Sequence, residues 1–145
     1  VMDGVGLDLT DGEQELAGGS WFEMAHTSDD PERIVFSEYH ATSSPTGGFM
    51  LRKGKYKFLY YVDYEPELFD LEADPEETSD LAADPNYAEI VTEYEGYLRA
   101  ICDPEKVDRQ AKDDQNALIE KFGGRDKALH TGTPGATPVP GQGHE

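Results

Sequence analysis

Side chains able to attack, ligate or hold charge fall into a few sets in this chain. The single cysteine lies in Cys102-Asp103-Pro104-Glu105-Lys106, a Cys-x-Pro-x-Lys spacing. A thiolate there could act as a nucleophile; the plainer role is a small hydrophobe closing one helix, beside an Asp-Pro cap that opens the next. His40 ends a β-prone run and precedes the polar, turn-forming stretch from Ala41 to Gly48. Strand-end loops carry sites because a rigid scaffold presents them outward, so His40 is a candidate substrate contact, set against the ordinary role of a loop histidine. Ser43 and Ser44 rank below it. Arg52, Lys53, Lys55 and Lys57 form a basic set in which an anion pocket is the sharp reading and a solvated hairpin face the plain one. Arg52 leads that set, because a guanidinium meets two oxygens of sulfate or phosphate at once.

Metal and cofactor motifs are missing by spacing. Asp70-Leu71-Glu72-Ala73-Asp74 puts acids at alternate positions, as a calcium loop does. Pro75, however, stands where an EF-hand needs glycine, and Leu81 where it needs the bidentate glutamate. His26, His40, His130 and His144 are scattered, without an H-E-x-x-H arrangement. Gly47-Gly48 precedes a strand, the wrong context for a phosphate loop. One cysteine excludes an internal disulfide framework and a multi-cysteine zinc site.

Charge narrows the partners. The 145 residues carry 31 acids against 12 bases, a net charge of -19, which repels a phosphate backbone or an anionic lipid surface where a binder must attract it. No nucleic acid and no membrane is expected as partner, and no run approaches the ~18 apolar residues of a span. Residues 52–62 carry four bases and no acid, and residues 63–95 thirteen acids and no base. An acidic apron thus surrounds one basic hairpin, as a solvated acidic surface or, alternatively, a cation-binding face. No targeting signal is visible in a chain that opens at Val1, which leaves cytoplasm and periplasm both open.

The elements that must position these residues are legible from punctuation and period. Asp30-Pro31, Asp74-Pro75, Asp84-Pro85 and Asp103-Pro104 each join a good N-cap to a residue preorganised for the first helical position, so helices or helical turns should start there. After Asp84-Pro85, Tyr87, Ile90, Val91, Tyr94, Leu98 and Ile101 recur at three- and four-residue intervals, an amphipathic helix. After Asp103-Pro104, Val107, Ala111, Leu118, Ile119 and Phe122 make a weaker stripe, stopped by Gly123-Gly124 and expected to pack thinly. Strands are expected over 34–39, 49–52, 55–62 and 67–71, with Lys53-Gly54 as a hairpin turn. The fold class is therefore α+β: a small antiparallel β-sheet of about four strands packed with C-terminal helices, some of its apolar surface turned toward another domain. Residues 1–33 read as a linker, 34–101 as the sheet and its helix, 102–130 as a helical extension, and 131–145 as a Pro/Gly-rich tail.

Three segments in order, Leu51-Arg52-Lys53-Gly54-Lys55-Tyr56-Lys57-Phe58, Glu67-Leu68-Phe69-Asp70-Leu71-Glu72-Ala73-Asp74-Pro75-Glu76-Glu77 and Asp80-Leu81-Ala82, are followed by a closing helix. In this order and spacing they resemble the C-terminal subdomain of sulfatases, which belongs to an alkaline-phosphatase-like α/β hydrolase. Gly18-Gly19-Ser20-Trp21 is similar to the linker after the catalytic domain in that family, and Val35-Phe36-Ser37-Glu38-Tyr39 to the strand entering the subdomain. The resemblance covers about residues 1–130. The extension from Cys102 to Gly124 is similar to the choline-sulfatase and phosphonate-hydrolase-like branch.

The resemblance implies a parent enzyme that hydrolyses a small sulfate ester with a divalent metal (Ca2+ or Mn2+) and a formylglycine made from the cysteine of a Cys-x-Pro-x-Arg motif. Cys102 is not that cysteine, since Lys106 replaces the arginine and the family's motif lies early in the catalytic domain. The family's metal ligands have no match here either. The chain is accordingly expected to be inactive alone, with no catalytic residue, metal or cofactor of its own. Its expected partners are the missing catalytic domain and, through the C-terminal extension, a second copy. Tyr39, His40 and Ser43 are the residues expected near the substrate pocket, with Arg52 behind them. A phosphonate monoester or phosphodiester hydrolase of the same superfamily, and a free-standing interaction module, are the alternatives.

Overall fold

The computed structural model describes residues 3–8, 10, 19–41 and 44–130; Ser43, Gly18 and the 131–145 tail lie outside the described residues. Strands β1 (Val35–Tyr39), β2 (Gly48–Lys53), β3 (Tyr56–Tyr61) and β4 (Glu67–Asp70) pair antiparallel in sequence order, a four-stranded meander. Gly54, at φ 53°, takes the left-handed position that closes the β2–β3 turn.

Register divides the sheet into two unlike faces. Leu51 pairs with Phe58, and Phe58 with Leu68, so these three and Phe49 collect on one face, where all four are buried. Because side chains alternate along a strand, Tyr39, Met50, Arg52, Leu59 and Phe69 belong to the other.

The first face is covered by α2 (Ala88–Ile101), which enters through a 3-10 turn capped by Asp84. Tyr94 and Leu98, four residues apart, point into the core beside Phe58, and the Tyr94 hydroxyl donates to the Lys53 carbonyl at 2.7 Å. Fully burying Leu98 contributes about 2 kcal/mol.

The helix α3 (Pro104–Lys121) follows after Asp103, whose carboxylate accepts the Lys106 N–H at 2.9 Å. Its buried residues are Pro104 and Asp108, both near its start. Val107, Ala111 and Ile119 are half-buried while Leu118 and Phe122 are 55% and 64% exposed, so the stripe expected along this helix is only partly covered. Two short α-helices, α1 (Trp21–His26), capped by Ser20, and α4 (Arg125–His130), and a 3-10 turn at Asp3–Val5 complete the described elements.

Of the four Asp-Pro pairs, Asp84-Pro85 and Asp103-Pro104 open helices. Asp30 accepts the Glu32 N–H as a cap does, whereas Asp74 accepts from Thr78 and Ser79 N–H, beyond the first turn, and only turns follow either pair. No apolar stripe follows either pair, and a capped first turn is not propagated without a face to bury. No helix among the described residues is long and apolar enough to cross a membrane.

Candidate functional site

The described ends of the connection between β1 and β2, residues 40–41 and 44–47, are tied down on two sides. At the sheet, Thr46 Oγ1 donates to the Val62 carbonyl at 2.9 Å and the Val62 N–H donates to the Gly47 carbonyl at 3.2 Å. At the helices, Asp108 of α3 accepts the Gly47 N–H on Oδ1 at 2.7 Å and Lys112 Nζ on Oδ2 at 2.7 Å. Two turns further along, Gln115 Nε2 donates to the His40 carbonyl at 2.5 Å. Burial pushes the Asp108 carboxyl up, but the Lys112 ammonium and the Gly47 N–H more than offset it, and the group stays below the usual carboxylate range.

His40 lies inside this bracket. Its ring meets Phe49 edge-on, centroids 5.3 Å apart, and covers Gly47 so closely that a Cβ there would sit 2.7 Å from His40 Cε1. Neither ring nitrogen has a hydrogen-bond partner among the described residues, and Glu38 Oε2 lies 3.7 Å from Nε2. A cavity of about 20 Å³ between His40, Thr46, Asp108 and Lys112 has room for one water-sized sphere.

The other predicted residues are placed differently. Tyr39 is 52% exposed on the opposite sheet face, where it borders a hollow of about 200 Å³ with Met50, Leu59 and Tyr61. Arg52 pairs with Val35 and Tyr39 with Gly48, so Arg52 lies four rungs from Tyr39, roughly 13 Å along the strand. The structure therefore brings Tyr39 and His40 to one end of the sheet and leaves Arg52 at the other. The anion pocket read into the hairpin does not form from its lysines, because each faces a carboxylate: Lys53 with Glu32 at 2.8 Å, Lys55 with Asp70 at 2.6 Å and Lys57 with Glu77 at 2.5 Å.

Cys102 ends α2, half-buried, its N–H bonded to the Leu98 carbonyl at 3.0 Å. Burial, and then the carboxylates of Glu38, Asp103 and Glu105, push its thiol up, the reverse of what activates a nucleophile. Among the described residues no three His, Cys, Asp or Glu side chains are grouped so as to hold a metal. These residues fit neither a formylglycine nor a metal centre.

Asp108, Lys112 and Gln115 were not singled out by sequence reasoning. The available signal was the i,i+4 spacing of Asp108 and Lys112 next to Val107 on the stripe, which reads as an ordinary surface pair until the helix is docked.

No protein-family model matches the chain. Mouse arylsulfatase K is 34% identical over 95 residues, 63% of this chain and 17% of that protein. The choline-sulfatase of Rhizobium meliloti is 34% identical over 90 residues, 54% of this chain and 18% of that protein. A solved 2-O GAG sulfatase superposes with a TM-score of 0.55 at 28% identity, covering 80% of this chain and 24% of that one. The chain spans less than a fifth of the length of these two curated relatives. In sequence and in fold the chain is similar to sulfatases, and its four-stranded antiparallel sheet with helices matches the C-terminal subdomain of the alkaline-phosphatase-like fold.

Proposed function

We infer that this chain is the C-terminal portion of a sulfuric ester hydrolase, where it supports the catalytic domain and rims the substrate pocket. The observation that carries the reading is the joint likeness to sulfatases in sequence and in fold. The parent's catalytic domain would supply the divalent metal, Ca2+ or Mn2+, and the formylglycine; the residues described above fit neither, and no chemical step is assigned to them. What this chain supplies is a braced loop end with Tyr39, His40 and Ser43 as the rim. Its half-apolar second sheet face supports contact with the catalytic domain, and Arg52, at the far end of that face, belongs to the contact rather than to the rim.

The test is turnover by the full-length protein that carries this segment, with 4-nitrophenyl sulfate and bis(4-nitrophenyl) phosphate as alternative substrates. Preferred hydrolysis of the sulfate ester, abolished by chelation, is expected, together with no chelator-sensitive turnover by the 145-residue chain alone. Preference for the phosphodiester would move the parent to the phosphonate and phosphodiester hydrolases. Inactivity on both would favour the non-catalytic interaction module.

A further inference from the structure

Helix α3 buries Pro104 and packs Val107 against the core near its start, and it holds the loop at two points. Asp108, 5% exposed, accepts the backbone N–H of Gly47 across 61 residues of sequence, and Gln115 donates to the carbonyl of His40. These partners are the two ends of the 40–47 loop. Asp108 and Gln115 are seven residues apart, two helical turns, or roughly 10 Å along the axis. The helix thus spans the mouth of the loop as a splint spans a joint. A carboxylate accepting a backbone N–H is a charge-assisted bond, stronger than an ordinary amide pair, and Lys112 on its second oxygen fixes its orientation. Gly47 has no room for a side chain because the His40 ring lies against it, so fixing the Gly47 backbone also fixes the floor beneath that ring.

We propose that α3 is a splint for the two ends of the β1–β2 connection, His40 and Gly47, and that Asp108 is its positioning residue, holding the Gly47 backbone and through it the His40 ring at the substrate rim. The splint rests on the hydrogen bonds alone; its effect on substrate rests on the sulfatase reading above.

Two measurements on the full-length protein separate these parts. In hydrogen–deuterium exchange, Asp108→Ala should speed exchange in peptides containing the Gly47 amide by about tenfold, the loss of one buried charge-assisted bond. Glu105→Ala frees α3 from Arg99 and Tyr60 without touching either loop end, and should leave those peptides unchanged. No acceleration in Asp108→Ala, or equal acceleration in Glu105→Ala, overturns the splint.

With 4-nitrophenyl sulfate, Asp108→Ala should raise KM several-fold while kcat is held. Asp108→Asn, which keeps an oxygen for the Gly47 N–H, should recover part of that loss. An unchanged KM beside a freed Gly47 amide overturns the link to substrate. A wild-type protein that turns over no sulfate ester overturns the sulfatase reading, with the splint still decided by exchange. Should Asp108→Ala fail to fold, Gln115→Ala, at an exposed position, replaces it in both measurements and should likewise free the loop and raise KM; no change in either overturns the proposal.

Discussion

Arg99 of α2 and Glu105 of α3 meet fork to fork across the bend between the two helices, Nη1 lying 3.0 Å from Oε2 and Nη2 3.1 Å from Oε1. The Tyr60 hydroxyl of β3 donates to the same carboxylate at 2.7 Å, so one acid joins the sheet and both helices. The Arg99 guanidinium, and after it the Tyr60 hydroxyl, holds the Glu105 carboxyl down to about 2. An unfolded glutamate titrates near ~4.3. The folded pKa is the lower one, so the stabilisation is complete above the unfolded value and is lost as pH falls toward 2. Glu105→Gln should lower unfolding free energy at pH 7 by no more than about 1 kcal/mol, the pair being partly solvated. The gap from wild type should close between pH ~4.5 and ~2 in urea denaturation; a gap independent of pH would mean that the charge contributes nothing.

Tyr94 joins α2 to the β2–β3 turn. Burial pushes its phenol up to about 12, and its hydroxyl donates to the Lys53 carbonyl. Here the folded pKa is the higher one, so this residue's contribution is whole below ~10 and declines as pH rises toward 12. Tyr94→Phe should cost about 1 kcal/mol at neutral pH and remove the latest phenolate step from an alkaline absorbance titration. Leu98→Ala, at a fully buried position on the same helix face, should cost ~2–5 kcal/mol. If the two variants were equally stable, the core would not be centred on α2.

Asp63, just after β3, holds φ at 68°, in the region that costs a side chain with a Cβ. It is exposed and follows the buried Val62 whose N–H is bonded to Gly47, so the turn cannot relax without pulling on the loop. Asp63→Gly should raise stability by up to about 1 kcal/mol, the relief of strain exceeding glycine's added chain entropy. A lower thermal midpoint in this variant would show that the aspartate carboxylate matters more than the backbone.

The parts of this fold that were legible in the sequence are those with a short period or a local cap. The strands around Lys53-Gly54 and the stripe of α2 announce themselves because alternate and every-third-or-fourth residues are buried on one side. Asp103 capping Lys106 is likewise local chemistry. What stayed hidden depends on distance in the chain. Asp108 reads as one half of a surface pair with Lys112, and its acceptance of the Gly47 N–H needs the docked helix to be seen. The hairpin lysines read as a free basic face because Glu32, Asp70 and Glu77, which neutralise them, lie up to 21 residues away. The sequence reads Arg52 as standing behind Tyr39 at one pocket, whereas pairing across β1 and β2 sets them at opposite ends.

Gly47 offers the sharpest test of how the loop end is packed. A Cβ at this position would lie 2.7 Å from His40 Cε1, 2.9 Å from Nδ1 and 3.2 Å from Phe49 Cε2. Gly47→Ala must therefore displace the His40 ring, at a cost of ~1–3 kcal/mol typical of overpacking. Its backbone is not in the left-handed region, so the cost is one of space and should be relieved by making space. In a His40→Ala background the same substitution should cost at least about 1 kcal/mol less, a coupling read from the four unfolding curves of a double-mutant cycle. Additive effects would place the obstruction at Phe49 instead, and the histidine would then be free to leave the loop without any change beneath it.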